Sequence, residues 1–163
     1  MTKEIQSILT EWQITRWSTL EFINHVGEED LKKELPRAGL NTFTKHFEEL
    51  IAVEESAINA IEQGKMTFCC CKNDSDYPGD SSVNSLVERM KFLDKRLYEV
   101  LEDKSNNYVI DWDGSKSNPI GHVGWMIMHE AMHIGQLVAF SYVLGIEIPN
   151  SVTKAWALSG DKK

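Results

Sequence analysis

Across positions 120–144 the chain carries a single charged residue, Glu130. Pro119 opens this stretch, and Gly145 followed by Pro149 closes it, which is the punctuation of one long helix with proline in its first turn. A helix that is apolar almost all round offers water no face of its own. It must be covered on most sides by other helices, or by a partner subunit where its own fold leaves it open. A membrane span is not the answer, because His122, His129, His133, Gln136 and several glycines interrupt the stretch before 18 apolar residues accumulate.

Three further segments supply the helices needed to bury it. Positions 3–25 place Ile5, Ile8, Leu9, Trp12, Thr19, Leu20 and Ile23 at i, i+3, i+4 spacing. A second helix opens with Asn41 as its N-cap and runs to about Gln63 before the stop at Gly64, with Phe43, Phe47, Leu50, Ile51, Val53, Ala57, Ile58 and Ile61 on one arc. A third starts near Ser81 and Ser82, after the turn-rich NDSDYPGDSS, and aligns Val83, Leu86, Val87, Met90, Leu93, Leu97 and Leu101. Four such helices predict an all-α four-helix bundle, and 163 residues suit one domain spanning 1–163. The links between helices run to about fifteen residues, whereas tight antiparallel neighbours need only about two to eight. At least one connection is therefore expected to cross the bundle, or the loops to cover a pocket. The tail GIEIPNSVTKAWALSG reads as a turn and a short packing element anchored by Trp156.

A formal charge of −8 without a Lys/Arg cluster argues against nucleic acid and anionic membranes as partners. The start, MTKEIQSILTEW, is too polar for a secretory signal. Cys69, Cys70 and Cys71 are adjacent and odd in number, so no disulfide framework is implied and a cytoplasmic location is expected. An incidental role is expected for these loop thiols.

On a helical wheel His122, Met126, His129, His133, Gln136 and Phe140 fall within roughly 40° of one line. His129 and His133, one turn apart, have the spacing that two cis ligands of one divalent ion require. A lone histidine on an apolar face is usually a hydrogen-bonded core residue; two at this spacing in a nearly chargeless helix point to a metal. A third ligand is needed, and His46, between Phe43, Phe47 and Leu50 on the edge of the second helix's apolar arc, is the best placed. His25 falls at a helix end and is expected to be exposed. His122 lies two turns upstream of His129, roughly 10 Å along the axis, too far to ligate but able to line the cavity with Met126. Trp125, Met126, Met128 and Met132 are expected to pack in the core or in an interface. Arg16 and Glu54 both fall in apolar stripes, and a structural ion pair is expected between them.

The string His129-Glu130-Ala131-Met132-His133 is also the H-E-x-x-H pattern of zinc metalloproteases. Their downstream third ligand is missing: the extended motif needs glycine at position 136 and histidine at 139, and the chain has Gln136 and Ala139. Glu147 follows too closely to serve. Glu130 is about 100° round the helix from His129, which favours a role behind the ligands, or a structural one, over that of a protease base. Gln136, one turn past His133, is placed to hydrogen-bond a ligand or a bound molecule.

The run His129-Glu130-Ala131-Met132-His133-Ile134-Gly135-Gln136 resembles the H-x-x-x-H-x-G-Q signature of the DinB-like (DNA-damage-inducible) superfamily. Thr44-Lys45-His46-Phe47 matches that family's first ligand position, and Asp111-Trp112-Asp113-Gly114 and the tail from Pro149 to Trp156 are similar to segments of some members. The resemblance implies a bundle with up-down-down-up connectivity, a zinc or nickel ion held by His46, His129 and His133 with open positions, and a homodimer. Characterised members of the wider superfamily use a low-molecular-weight thiol, as bacillithiol S-transferases or a mycothiol-dependent maleylpyruvate isomerase. The implied activity is therefore a thiol-dependent S-transferase acting on small electrophiles; the other reading is a metal-binding stress-response protein without catalysis. One departure is Ile134, where many members carry Arg or His.

Overall fold

The computed structural model describes residues 1–68, 79–103, 108–156 and 158. Cys69, Cys70 and Cys71 lie outside the described residues. Four long helices dominate: α1 (Lys3–His25), α3 (Phe43–Gln63), α4 (Val83–Asp103) and α5 (Pro119–Leu144). Two short helices, α2 (Glu28–Leu31) and α6 (Asn150–Ala155), and a hairpin of β1 (Ile110–Trp112) and β2 (Ser115–Ser117) occupy the links.

Local chemistry sets the helix ends. The Thr2 hydroxyl accepts from the Ile5 amide and the Thr42 hydroxyl from the Lys45 amide, so each closes a first turn. The cap of α3 is thus Thr42, one residue later than expected. Asn41 instead uses its backbone carbonyl to accept from the Leu35 amide at 2.7 Å, closing the loop before the helix. Asn118 caps α5 ahead of Pro119, and Gly145 ends it in the left-handed region at φ 66°.

Ion pairs fix the helix directions. Glu55 and Glu62 of α3 face Arg89 and Arg96 of α4 in the same order, each at 2.6 Å, so these two neighbours run parallel. His46 meets His133, and His122 meets Ala57, in opposite order, so α5 runs against α3. Trp12 of α1 bonds Asp94 in the middle of α4, whereas Glu28, just past α1, accepts from the Val83 amide at the start of α4. Up-down-down-up connectivity follows. α1 packs on α4 and α5, and α3 packs on the same two. Consecutive helices α1 and α3 therefore lie across the bundle from each other, and the parallel pair α3 and α4 needs a full return crossing. Both conditions demand long links.

The hairpin was not expected from the sequence. Asp113 and Gly114, at φ 50° and 88°, make the two-residue turn, and the Asp111 carboxylate accepts from the Gly114 amide at 2.9 Å. Asp111 also bonds Gly64 and Met66 through its backbone, which ties the hairpin to the end of α3. The tail differs in its anchor. Val152 is fully buried, whereas Trp156 is 45% exposed and holds on through its indole N–H, donated to Ser18 Oγ at 2.8 Å.

On α5, His122, Val123, Met126, Glu130, His133, Ile134, Leu137 and Ser141 face inward. The opposite side is uncovered, with Met128 65%, Met132 55%, Tyr142 54% and Val143 66% exposed. Met126 is thus core, Met128 and Met132 are surface, and His25 is exposed as expected. Among the described residues no helix is long and apolar enough to cross a membrane.

Candidate metal centre

The antiparallel register of α3 and α5 brings His46 and Glu49 of one helix against His129 and His133 of the other. His46 Nδ1 lies 2.9 Å from His133 Nδ1, and His133 Nε2 lies 4.0 Å from Glu49 Oε1. The His129 and His133 rings sit with centroids 4.6 Å apart. One ligand atom each from Glu49, His129 and His133 falls within 4.8 Å of the other two. Ligand atoms round a tetrahedral zinc stand about 3.3 Å apart, so a contraction of about 1.5 Å at most would close the site.

Donor chemistry supports the same conclusion. Burial is the main force lowering all four histidines on these helices. His46 is lowered to about 4, with the Arg37 charge adding to burial, and His133 to about 3, with His129, His46 and Arg37 adding. His129 and His122 are lowered by burial as well. Imidazoles held neutral at pH 7 are in the form that ligates a metal. The residues present fit a divalent ion.

The expected pair His129 and His133 is brought together, whereas the expected third ligand His46 touches His133 ring to ring and stands outside the group of three that includes Glu49. Glu49 is the addition that sequence reading missed. It stands one turn after His46, an i, i+3 spacing that was visible, but it sits in a Glu-rich stretch that reads as a solvated helix face. His122 does not join the group. It is buried, bonded to the Ala57 backbone and stacked 5.8 Å from Trp125, which also stacks on His129 at 5.5 Å. Trp112 meets Trp125 edge-on at 4.8 Å, so the hairpin adds an aromatic wall on this side. Ile134 is buried and turned to the core.

Glu130 faces away from the histidines into a second polar cluster. Its carboxylate accepts from Thr19 Oγ1 at 2.5 Å and pairs with Arg16 at 3.2 Å. The expected pair of Arg16 with Glu54 is present, and Asp94 accepts from Arg16 Nε at 3.2 Å and from Trp12 Nε1 at 2.8 Å. Arg16 is 3% exposed and Glu130 2%. Burial alone would lower the guanidinium pKa, but Glu130, Glu54 and Asp94 outweigh it and hold Arg16 charged. Burial raises both Glu54 and Glu130, and Arg16 opposes the rise. A carboxylate locked to α1 in this way is a strut between helices, which removes the protease-base role for Glu130.

No protein-family model and no curated protein matches the chain. Among solved structures it is similar to a DinB-like protein from Bacillus cereus ATCC 10987, with a TM-score of 0.70 at 18% identity, covering 90% of this chain and 96% of that one. At this identity the likeness establishes the fold alone: the chain shares the all-α bundle architecture of that DinB-like protein.

Proposed function

We propose that this DinB-like bundle binds one divalent ion, zinc or nickel, through His46, His129 and His133 with Glu49 as a further donor, and joins a low-molecular-weight thiol to a small electrophile in the cytoplasm. The observation that carries the metal reading is the convergence of ligand atoms from Glu49, His129 and His133 within 4.8 Å of one another, with His46 against His133 and all three imidazoles held neutral by burial. A bound ion supplies Lewis acidity, which lowers the pKa of a thiol or water in its open position. The chain's own contribution is to orient the ligands on rigid helices and to leave His129 and Glu49 only half-buried, so that a small molecule reaches them. Metal-loaded protein incubated with bacillithiol and an epoxide or chlorinated electrophile should form a conjugate that the metal-free protein does not. Equal conjugate with and without metal would leave the non-catalytic metal-binding reading in its place.

The bare face of α5 supports a homodimer. Met128, Met132, Tyr142 and Val143 flank Gly135 and Ala139, which are small enough for a second helix to approach closely. Wild type should sediment as a dimer and Met132→Glu as a monomer; a wild-type monomer at micromolar concentration would rule this interface out.

A further inference from the structure

The chain has four arginines, and three of them are neutralised. Arg16 is enclosed by Glu54, Asp94 and Glu130, Arg89 pairs with Glu55, and Arg96 pairs with Glu62. Arg37 makes no ion pair among the described residues. Its Nη1 donates to the neutral amide of Gln136 at 3.1 Å, and its guanidinium lies 6.0 Å from the centre of the Phe140 ring. Gln136 and Phe140 are the residues one and two turns beyond His133, and Phe140 also packs 5.6 Å from His46. Arg37 therefore stands at one rim of the candidate metal centre, opposite the Trp125 and Trp112 wall.

This placement is built rather than incidental. The Leu35 amide bonds the Asn41 carbonyl at 2.7 Å, and the Arg37 amide bonds the Leu35 carbonyl at 2.7 Å, so the loop between α2 and α3 is closed on itself. Leu35 anchors it in the core at 4% exposure. Gly39 and Leu40 both take positive φ, 62° and 37°, the second an uncommon conformation for a leucine. In a chain of net charge −8, an exposed arginine that is held in place without an acid beside a cluster of metal-type ligands is the feature of an anion site.

We propose that Arg37 recognises the carboxylate of a small ligand whose other end reaches the His46, Glu49, His129 and His133 cluster. Gln136 holds the guanidinium in place, and Phe140 supports its flat face. This assignment rests on the metal reading above. From Gln136 back to the level midway between His129 and His133 is about 7 Å along the helix axis. The ligand class is thus a short chain with a metal-binding atom at one end and a carboxylate at the other.

Full-length protein loaded with Co²⁺ provides the test, read by the thiolate-to-cobalt absorbance as 3-mercaptopropionate or its neutral amide, 3-mercaptopropanamide, is added. Wild type should bind the acid roughly five- to tenfold more tightly than the amide, the scale of one charge-assisted contact at a partly wet site. Arg37→Met should lose that preference, Arg37→Lys should keep part of it, and both should bind Co²⁺ like wild type. Equal affinity of wild type for the two thiols would overturn the role of Arg37 alone. A preference that survives in Arg37→Met would show that the ion itself takes the carboxylate, and would overturn it too. Failure of wild type to bind Co²⁺ would overturn the metal reading and this assignment with it.

Discussion

His133→Ala, purified beside wild type and offered Zn²⁺ or Ni²⁺, is expected to retain no stoichiometric metal after dialysis, with affinity down by more than about a hundredfold. Loss of a partner behind a ligand already costs about 10–100-fold, and His133 is closer than that. It is 1% exposed and is the one side chain in contact with every other member of the group: His46 at 2.9 Å, Glu49 at 4.0 Å and His129 by its ring. The losses should be graded by position. Glu49→Gln, which keeps shape and removes charge, should cost less than His46→Ala if three imidazoles form the inner set, and more if the carboxylate replaces His46. Glu130→Gln should retain metal at wild-type stoichiometry, because its carboxylate is held by Arg16 and Thr19 on the far side of α5. Metal that stabilises only the folded protein also raises its unfolding free energy, by about 2.7 kcal/mol at a hundredfold excess over Kd. Wild type should show that rise and His133→Ala should not. Full metal retention in a folded His133→Ala protein would sink the ligand assignment.

Much of this site was legible because helical period and burial are both written locally. The near absence of charge in α5 gives a helix that has to be surrounded, and two histidines one turn apart on it share a face whatever packs there. His46 was legible for the same reason, as a polar residue on an apolar arc. Glu49 was not, since whether a half-buried carboxylate faces solvent or a neighbouring helix depends on how α3 and α5 slide past each other. The partners of Glu130 show the same limit. Arg16 and Thr19 lie more than a hundred residues away in sequence and become neighbours only because α1 packs on α5. Sequence motif alone set this glutamate beside a metal; tertiary packing turned it to a buried arginine. Asp113-Gly114 is a turn signal that periodicity over a three-residue strand is too short to reinforce. Arg37 left no local mark at all, because a loop arginine is ordinarily just solvated.

The buried cluster around Arg16 carries the largest expected effect on stability, and its pH dependence has a definite sign. Arg16→Met would strand Glu54 and Glu130, both nearly inaccessible, with no cation, at a cost of about 3–5 kcal/mol near neutral pH. Glu54 already has its pKa raised well above 4.5 by burial, with Arg16 the chief opposing influence. A carboxyl whose folded pKa is raised favours folding fully below its unfolded pKa, and that contribution is lost as pH climbs through the folded value. Without Arg16 the folded value moves higher still. The penalty of Arg16→Met should therefore be largest at pH 8 and shrink toward pH 5, by up to about 1.4 kcal/mol per pH unit for each proton taken up. The buried histidines pull the other way, since their lowered pKa values cost stability as pH falls below about 6.5. That trend is shared by both proteins and cancels in their difference. Urea unfolding of wild type and variant at pH 5 and pH 8 reads the difference directly. Adding Glu54→Gln to Arg16→Met should recover part of the loss and flatten its pH dependence. An Arg16→Met penalty that is the same at both pH values would mean that the arginine acts through its packing on Trp12, 4.7 Å away, and not through its charge.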